Sequence, residues 1–221
     1  MFIKIFQDRA DAGRFLATKL DKFAKRTDVV VLGLPRGGVP VAYEVARKLN
    51  APLDIFVVRK LGVPGHEELA MGAIASGGVR VLNQEVLSHL HIPDDIIALV
   101  VDNEQRELER REREYRGDHA PLDLRGRVVI LVDDGLATGS SMHAAVQAVR
   151  QSEPSRIVVA VPVGARETCE SFQNEVDTMA ICAITPEPFQ AVGSWYADFS
   201  QVTDEDVQKL LDRSRPTKKA A

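Results

Sequence analysis

The sequence predicts a doubly wound, mainly parallel α/β sheet of the Rossmann-like kind, and three observations carry that expectation. Short β-branched runs recur along the chain: VVVLGL from Val29, LDIFVVRKL from Leu53, RVVILVDD from Arg127, SRIVVAVPV from Ser155 and VDTMAICAI from Val176. They are apolar without alternation, as strands buried on both faces are. Helical stretches such as GVPVAYEVARKLN separate them, the order of a parallel sheet with helices on both sides.

Taken in order, Asp11 to Phe23 place Ala12, Phe15, Leu16, Leu20 and Phe23 at helical spacing. This opening helix is expected to pack on something larger and to carry no chemistry. The stretch Gly62 to Gly78 is rich in glycine (Gly62, Gly65, Gly72, Gly77, Gly78); it reads as too long for a tight hairpin turn and is expected to contain a mobile loop. Asp94 to Arg116 carries Glu107/Arg111, Glu109/Arg113 and Glu112/Arg116 at i,i+4. Its stripe of Ile97, Val101, Leu108 and Tyr115 suits packing on the domain, with a homodimer seam as the alternative. The polar tail, 214–221, is expected to fray. At 221 residues a single domain is expected.

Composition narrows the function classes. The net charge is -4, from 28 Lys+Arg against 32 Asp+Glu, so no global basic field exists to hold a nucleic acid. The apolar run Ile157 to Val163 has seven residues, about a third of the ~20 a membrane span needs. The N-terminus meets charge before a signal-peptide core can build up, which points to a cytoplasmic protein and no membrane partner. Cys169 and Cys182 show no CxxC spacing and read as two reduced core thiols. None of His89, His91, His119 and His143 has metal-ligand partners at a useful spacing; His143 reads as lying on an exposed helix turn.

The chemistry concentrates in RVVILVDDGLATGSSMHAAVQAVRQ. A buried strand ends in Asp133 and Asp134, the small-residue loop Gly135, Leu136, Ala137, Thr138, Gly139 and Ser140 follows, and a helix begins beside Ser141. Ligands of open α/β sheets bind at the carboxyl ends of strands. The loop glycines admit an anion to backbone N–H groups, the hydroxyls add donors, and a helix N-terminus adds partial positive charge. Two acids ahead of such a cradle would repel a bare phosphate. A ribose 5-phosphate satisfies both, with its hydroxyls on the acids and its phosphate in the loop. GxxxxGK[ST] and GxGxxG are absent. A phosphorelay receiver would need an acceptor Asp ending a later strand, whereas Asp177 begins one.

VVILVDDGLATGSS resembles the signature of the type I phosphoribosyltransferases that binds 5-phosphoribosyl 1-diphosphate (PRPP). LGLPRGGVPVA is similar to that family's diphosphate loop, which implies that Arg36, Gly37 and Gly38 meet the leaving diphosphate. VVRKLGVPGHEE resembles the entry to its flexible catalytic loop, with Arg59 and Lys60 in the place of the basic pair. FQAVGSWYADF is similar to the C-terminal hood of the hypoxanthine-guanine branch, implying an acceptor site near Phe189, Trp195 and Asp198. The resemblance implies one domain with a core over about 28–184 and a hood over about 185–200 plus the N-terminal segment. It implies Mg²⁺ carried by PRPP, with Asp133 or Asp134 reaching it through water, and catalysis by Asp133, Asp134, Arg59 and Lys60. Ala137 stands where the hypoxanthine-guanine branch has its acidic base, so acceptor specificity is not inherited from that branch. His66, Glu67 and Glu68 are candidates for handling a proton, against a solvated loop tip. The expected activity is transfer of phosphoribose to a nitrogen acceptor, a nucleobase first among them. The alternative is a regulatory module that senses PRPP or a nucleotide in the same pocket.

Overall fold

The computed structural model describes residues 5–117, 119–175 and 180–215. Asp177 and most of the polar tail lie outside the described residues.

In chain order the elements are α1 (Arg9–Thr18), β1 (Val29–Gly33), α2 (Gly38–Leu49), β2 (Leu53–Ile55), β3 (Val58–Val63), β4 (His66–Ala75), β5 (Val79–Leu82), α3 (Gln84–Leu90), α4 (Asp94–Arg116), β6 (Val128–Val132), α5 (Ser140–Arg150), β7 (Arg156–Val163), α6 (Arg166–Glu175), β8 (Ala180–Ile184) and α7 (Asp204–Ser214). Five strands form one parallel sheet in the order β2-β1-β6-β7-β8. Every residue of β1 and β6 is buried, as the unalternating runs require.

Successive side chains of these strands feed two apolar layers. Val29, Val31, Ile130, Val132, Val158 and Ala160 pack with α1, α2 and α7. Val30, Leu32, Val129, Leu131, Val159 and Val161 pack with α5 and α6. The helix after β1 therefore covers one face and the helix after β6 the other, although β1 and β6 are neighbours. That is a topological switch point, and the crevice beyond the carboxyl ends of these two strands is where such sheets take ligands. The sheet is doubly wound as its sequence predicts.

Three expectations fail locally. LDIFVVRKL is not one strand: β2 belongs to the parallel sheet, while β3 opens a separate antiparallel sheet, β3-β4-β5. Buried Ser76 ties the joint, accepting from Val57 N through Oγ (2.8 Å) and donating its own N–H to Val57 O (2.9 Å). The expected mobile loop is largely the β3–β4 hairpin, closed at Pro64-Gly65 between paired Val63 and His66. Pro followed by a glycine at φ +79° matches the second half of a type II turn. Gly72 is there for close approach, because a Cβ would lie 2.4 Å from Val81 O. Finally, Cys169 and Cys182 are not separate thiols: α6 runs beside β8 at a Cα–Cα distance of 6.2 Å and the two form a disulfide.

The charged helix α4 lays Ile97, Leu108 and Tyr115 on its own domain, with Val101 partly buried. Glu107–Arg111 and Glu112–Arg116 pair as spaced (2.8 and 2.7 Å), whereas Glu109 accepts from Gln105 (2.8 Å). Arg116 is buried and reaches Asp54 on β2 (2.9 Å) and the Ile55 carbonyl (2.8 Å). Burial opposes its charge, and Asp54 and then Glu112 more than offset that.

Candidate active site

The carboxyl ends of β1 and β6 bring Gly37 and Gly38, expected to meet a diphosphate, and the acid pair into contact. After β1, Leu34 N donates to Val132 O (2.9 Å), the Pro35–Arg36 peptide is cis, and α2 starts at once. Gly37 and Gly38 are required by proximity. A Cβ at Gly37 would stand 2.1 Å from Asp134 Oδ2, and one at Gly38 would stand 2.7 Å from Val132 O and 2.9 Å from Asp133 Cα. The Arg36 guanidinium, partly exposed, lies 3.9 Å from Asp204 at the start of α7.

Asp133 and Asp134 follow β6 directly and are half-buried. Asp133 Oδ1 accepts from Asp134 N (2.8 Å). Burial, and then the negative charge of Asp134, pushes Asp133 well above the usual carboxylate range. Burial also raises Asp134, and the Arg9 guanidinium offsets part of that rise.

The loop that follows is held from behind. Gly135 meets Val192 of a short 3-10 turn, Val192–Trp195, with the Cβ position 2.5 Å from Val192 Cγ1. Leu136 is buried: its N donates to Val163 O (3.0 Å) and its O accepts from Ala165 N (2.9 Å). Ala137 O accepts from Thr168 Oγ1 on α6 (2.7 Å). Gly139, at φ +74°, packs on Thr168 and Phe172. This leaves Ala137, Thr138, Ser140 and Ser141 facing solvent at the N-terminus of α5, with Thr138 and Ser140 hydroxyls 3.2 Å apart. His143, expected on an exposed turn, is half-buried and stacks on Phe172 (4.0 Å).

Strand alternation separates the basic pair. Arg59 turns to α4 and pairs with Glu104 (2.6 Å). Lys60 lines a 360 Å³ cavity with Asn83, Ser140, Ser141, His143 and Gln147, at the start of α5. His66 opens β4 and is exposed; the side chains of Glu67 and Glu68 lie outside what the structure describes.

The C-terminal candidates form a cap with the N-terminal segment. Phe6 bridges Tyr196 and Ala197 N donates to Phe6 O (2.7 Å). Trp195 is buried with Phe6, Ala12, Val163 and Tyr196, and half-buried Phe189 packs against this group. Trp195 is therefore core beneath the cap. Asp198 is exposed and accepts from Ser200 N (2.9 Å), which holds it below the usual carboxylate range.

Two residues escaped the sequence reading. Arg9, which opens α1 just ahead of the stretch from Asp11, reaches Asp134 (Nε to Oδ2, 2.8 Å). Tyr196 OH donates to the Asp134 carbonyl. Only the 125-residue separation of Arg9 and Asp134 hides this contact, since no local motif spans it.

Comparison with known proteins identifies the family. A family model described as a phosphoribosyl transferase domain matches residues 3–194. A Mycobacterium tuberculosis (strain H37Rv) protein named "Putative phosphoribosyl transferase" is 46% identical over 212 residues, 96% of this chain and 47% of that one. The chain thus spans about half the length of that curated relative. The bifunctional protein PyrR of Chloroflexus aurantiacus is 29% identical over 129 residues, 57% of this chain and 65% of that one. The crystal structure of TT1426 from Thermus thermophilus superposes with a TM-score of 0.85 at 42% identity, covering 96% of this chain and all of that one.

Proposed function

The chain belongs to the phosphoribosyl transferase domain family, and from that premise we propose that it binds PRPP with Mg²⁺ and transfers the 5-phosphoribosyl group to a nitrogen acceptor with release of diphosphate. The observation that carries the proposal is the contact between the two loops: glycine backbone at the head of α2 lies directly against the acid pair ending β6. A ligand with vicinal hydroxyls next to a diphosphate fits that junction, with a phosphate at the far end on α5.

In this reading Asp133 and Asp134 accept from the ribose 2- and 3-hydroxyls. Ala137, Thr138, Gly139, Ser140 and Ser141 hold the 5-phosphate with backbone N–H groups, hydroxyls and the helix N-terminus. Gly37 and Gly38 seat the diphosphate loop against the acid pair, and Arg36 and Lys60 face the diphosphate charge. Breaking the anomeric C–O bond leaves negative charge on the diphosphate and positive charge on the ribose, so donors fixed in advance lower the barrier. The donor set suits Mg²⁺, since two carboxylates and ligand oxygens are the hard ligands it takes, with water completing its shell. When bound, Mg²⁺ would neutralise diphosphate charge. The cap over 189–199, with Phe189, is the proposed acceptor side. Ala137 is exposed and offers no base, so the acceptor proton is not taken at that position.

A second reading, a PRPP or nucleotide sensor without turnover, is favoured by one observation: Arg36 and Arg59 both face carboxylates, Asp204 and Glu104. One experiment separates the two readings. Diphosphate release is measured from PRPP and Mg²⁺ across purines, pyrimidines and other nitrogen acceptors. Release that depends on one acceptor class supports transfer; PRPP binding without release for any acceptor contradicts it.

A further inference from the structure

We propose that Arg9 is the positioning residue of the acid pair: it fixes the Asp134 carboxylate against the diphosphate loop and ties it to the cap on the acceptor side. The inference rests on the reading of Asp134 as a ribose ligand.

The Arg9 guanidinium is nearly buried, its side chain 12% exposed, and it has three attachments. Nε donates to Asp134 Oδ2 (2.8 Å), Nη1 donates to Ser200 O (2.8 Å), and the plane lies 3.9 Å from the Phe199 ring centroid. A planar guanidinium suits this combination of stacking and directed N–H bonds; an ammonium keeps the charge and loses the geometry. The base of the side chain is fixed as well. Asp8 caps α1 by accepting from Asp11 N (2.7 Å), and Gly13 brings α1 onto α2, its Cβ position only 2.7 Å from Val41 O. Since α2 begins at the diphosphate loop, Arg9, that loop and Asp134 share one rigid base.

The pairing uses Oδ2 and leaves Oδ1 on offer to a ligand hydroxyl. The groups facing Asp134 are Asp133 just before it, Arg9 from α1 and the Tyr196 hydroxyl at its carbonyl; the loop after β1 presents uncharged Gly37. Among the described residues, Arg9 is thus a cation in direct contact with the pair.

The test has two readouts. In the ligand-free full chain at one pH, the Arg9 Nε–H is expected as a slowly exchanging NMR signal in the parent and a fast-exchanging one in Asp134→Asn, because its acceptor is Asp134 Oδ2; equal exchange in the two overturns the proposal. Calorimetry with PRPP and Mg²⁺ is the second readout: Arg9→Gln is expected to bind about tenfold more weakly than the parent and to have no further effect in the Asp134→Asn background. Should Arg9→Gln fail to fold, Arg9→Lys decides: loss of the Ser200 and Phe199 contacts is expected to weaken binding about tenfold, and parent affinity overturns the assignment. PRPP that binds no better to the parent than to Asp134→Asn would remove the ribose reading alone, because the exchange readout still reports whether Arg9 holds Asp134.

Discussion

Replacing Gly37 by Ala isolates the contact between the diphosphate loop and the acid pair. Gly37 has φ -59° and ψ -34°, which any L residue adopts, so the backbone raises no objection. The added methyl carbon would stand 2.1 Å from Asp134 Oδ2, 2.8 Å from its Cγ and 3.3 Å from Arg9 Nε. An ordinary contact begins near 3.4 Å, so the carboxylate must retreat by about 1 Å. That retreat stretches the 2.8 Å bond from Arg9 out of hydrogen-bonding range and moves Asp134 off the ribose. A hydrogen bond to a charged group contributes about 1.5 to 3 kcal/mol, so PRPP affinity is expected to fall roughly ten- to a hundredfold. Calorimetric titration with PRPP and Mg²⁺ reads this, at a temperature where circular dichroism shows the variant folded. Gly126→Ala is the control. Gly126 has φ +69° with open space around it, so its variant loses stability through backbone strain and keeps its affinity. Parent affinity in Gly37→Ala would refute the placement of Asp134 at the ribose.

Because burial and Asp134 raise Asp133 above the ordinary range, PRPP affinity is expected to decline as pH falls through that raised value. The decline begins at higher pH than an unperturbed Asp would give, and a profile identical in Asp133→Asn counts against it. The Cys169–Cys182 bridge joins residues 13 apart, a loop whose closure stabilises by about 3 kcal/mol in the chain-entropy model. A dithiol reductant should lower Tm by roughly 6 to 12 °C, and coincident melts under oxidising and reducing conditions would contradict this. Asp54→Ala leaves Arg116 buried without its partner on β2, a loss of about 3 to 5 kcal/mol. Denaturant titration checks it, and a loss under about 1 kcal/mol would show that water or Glu112 substitutes.

The parts legible in the sequence are those whose physics is local. Buried parallel strands announce themselves through runs such as Val128–Val132, and the cradle from Asp133 to Ser141 is contiguous. The break inside LDIFVVRKL carries no glycine or proline; it depends on Ser76, 19 residues on, meeting Val57 N. Glycine in the 62–78 stretch reads as flexibility, yet Gly65 makes a turn and Gly72 a close approach. Arg59 and Lys60 read as a pair through the family resemblance, but they lie on a strand, which sends adjacent side chains to opposite faces. Arg9 and the disulfide depend on the tertiary fold to bring distant residues together.

The central claim is that the acids ending β6 and the loop ahead of α5 hold PRPP. The most direct measurement is calorimetry of PRPP with Mg²⁺ on the parent and on Asp133→Asn with Asp134→Asn. The account predicts saturable binding to the parent and at least roughly tenfold weaker binding to the double variant. Equal affinity in the two proteins would contradict it.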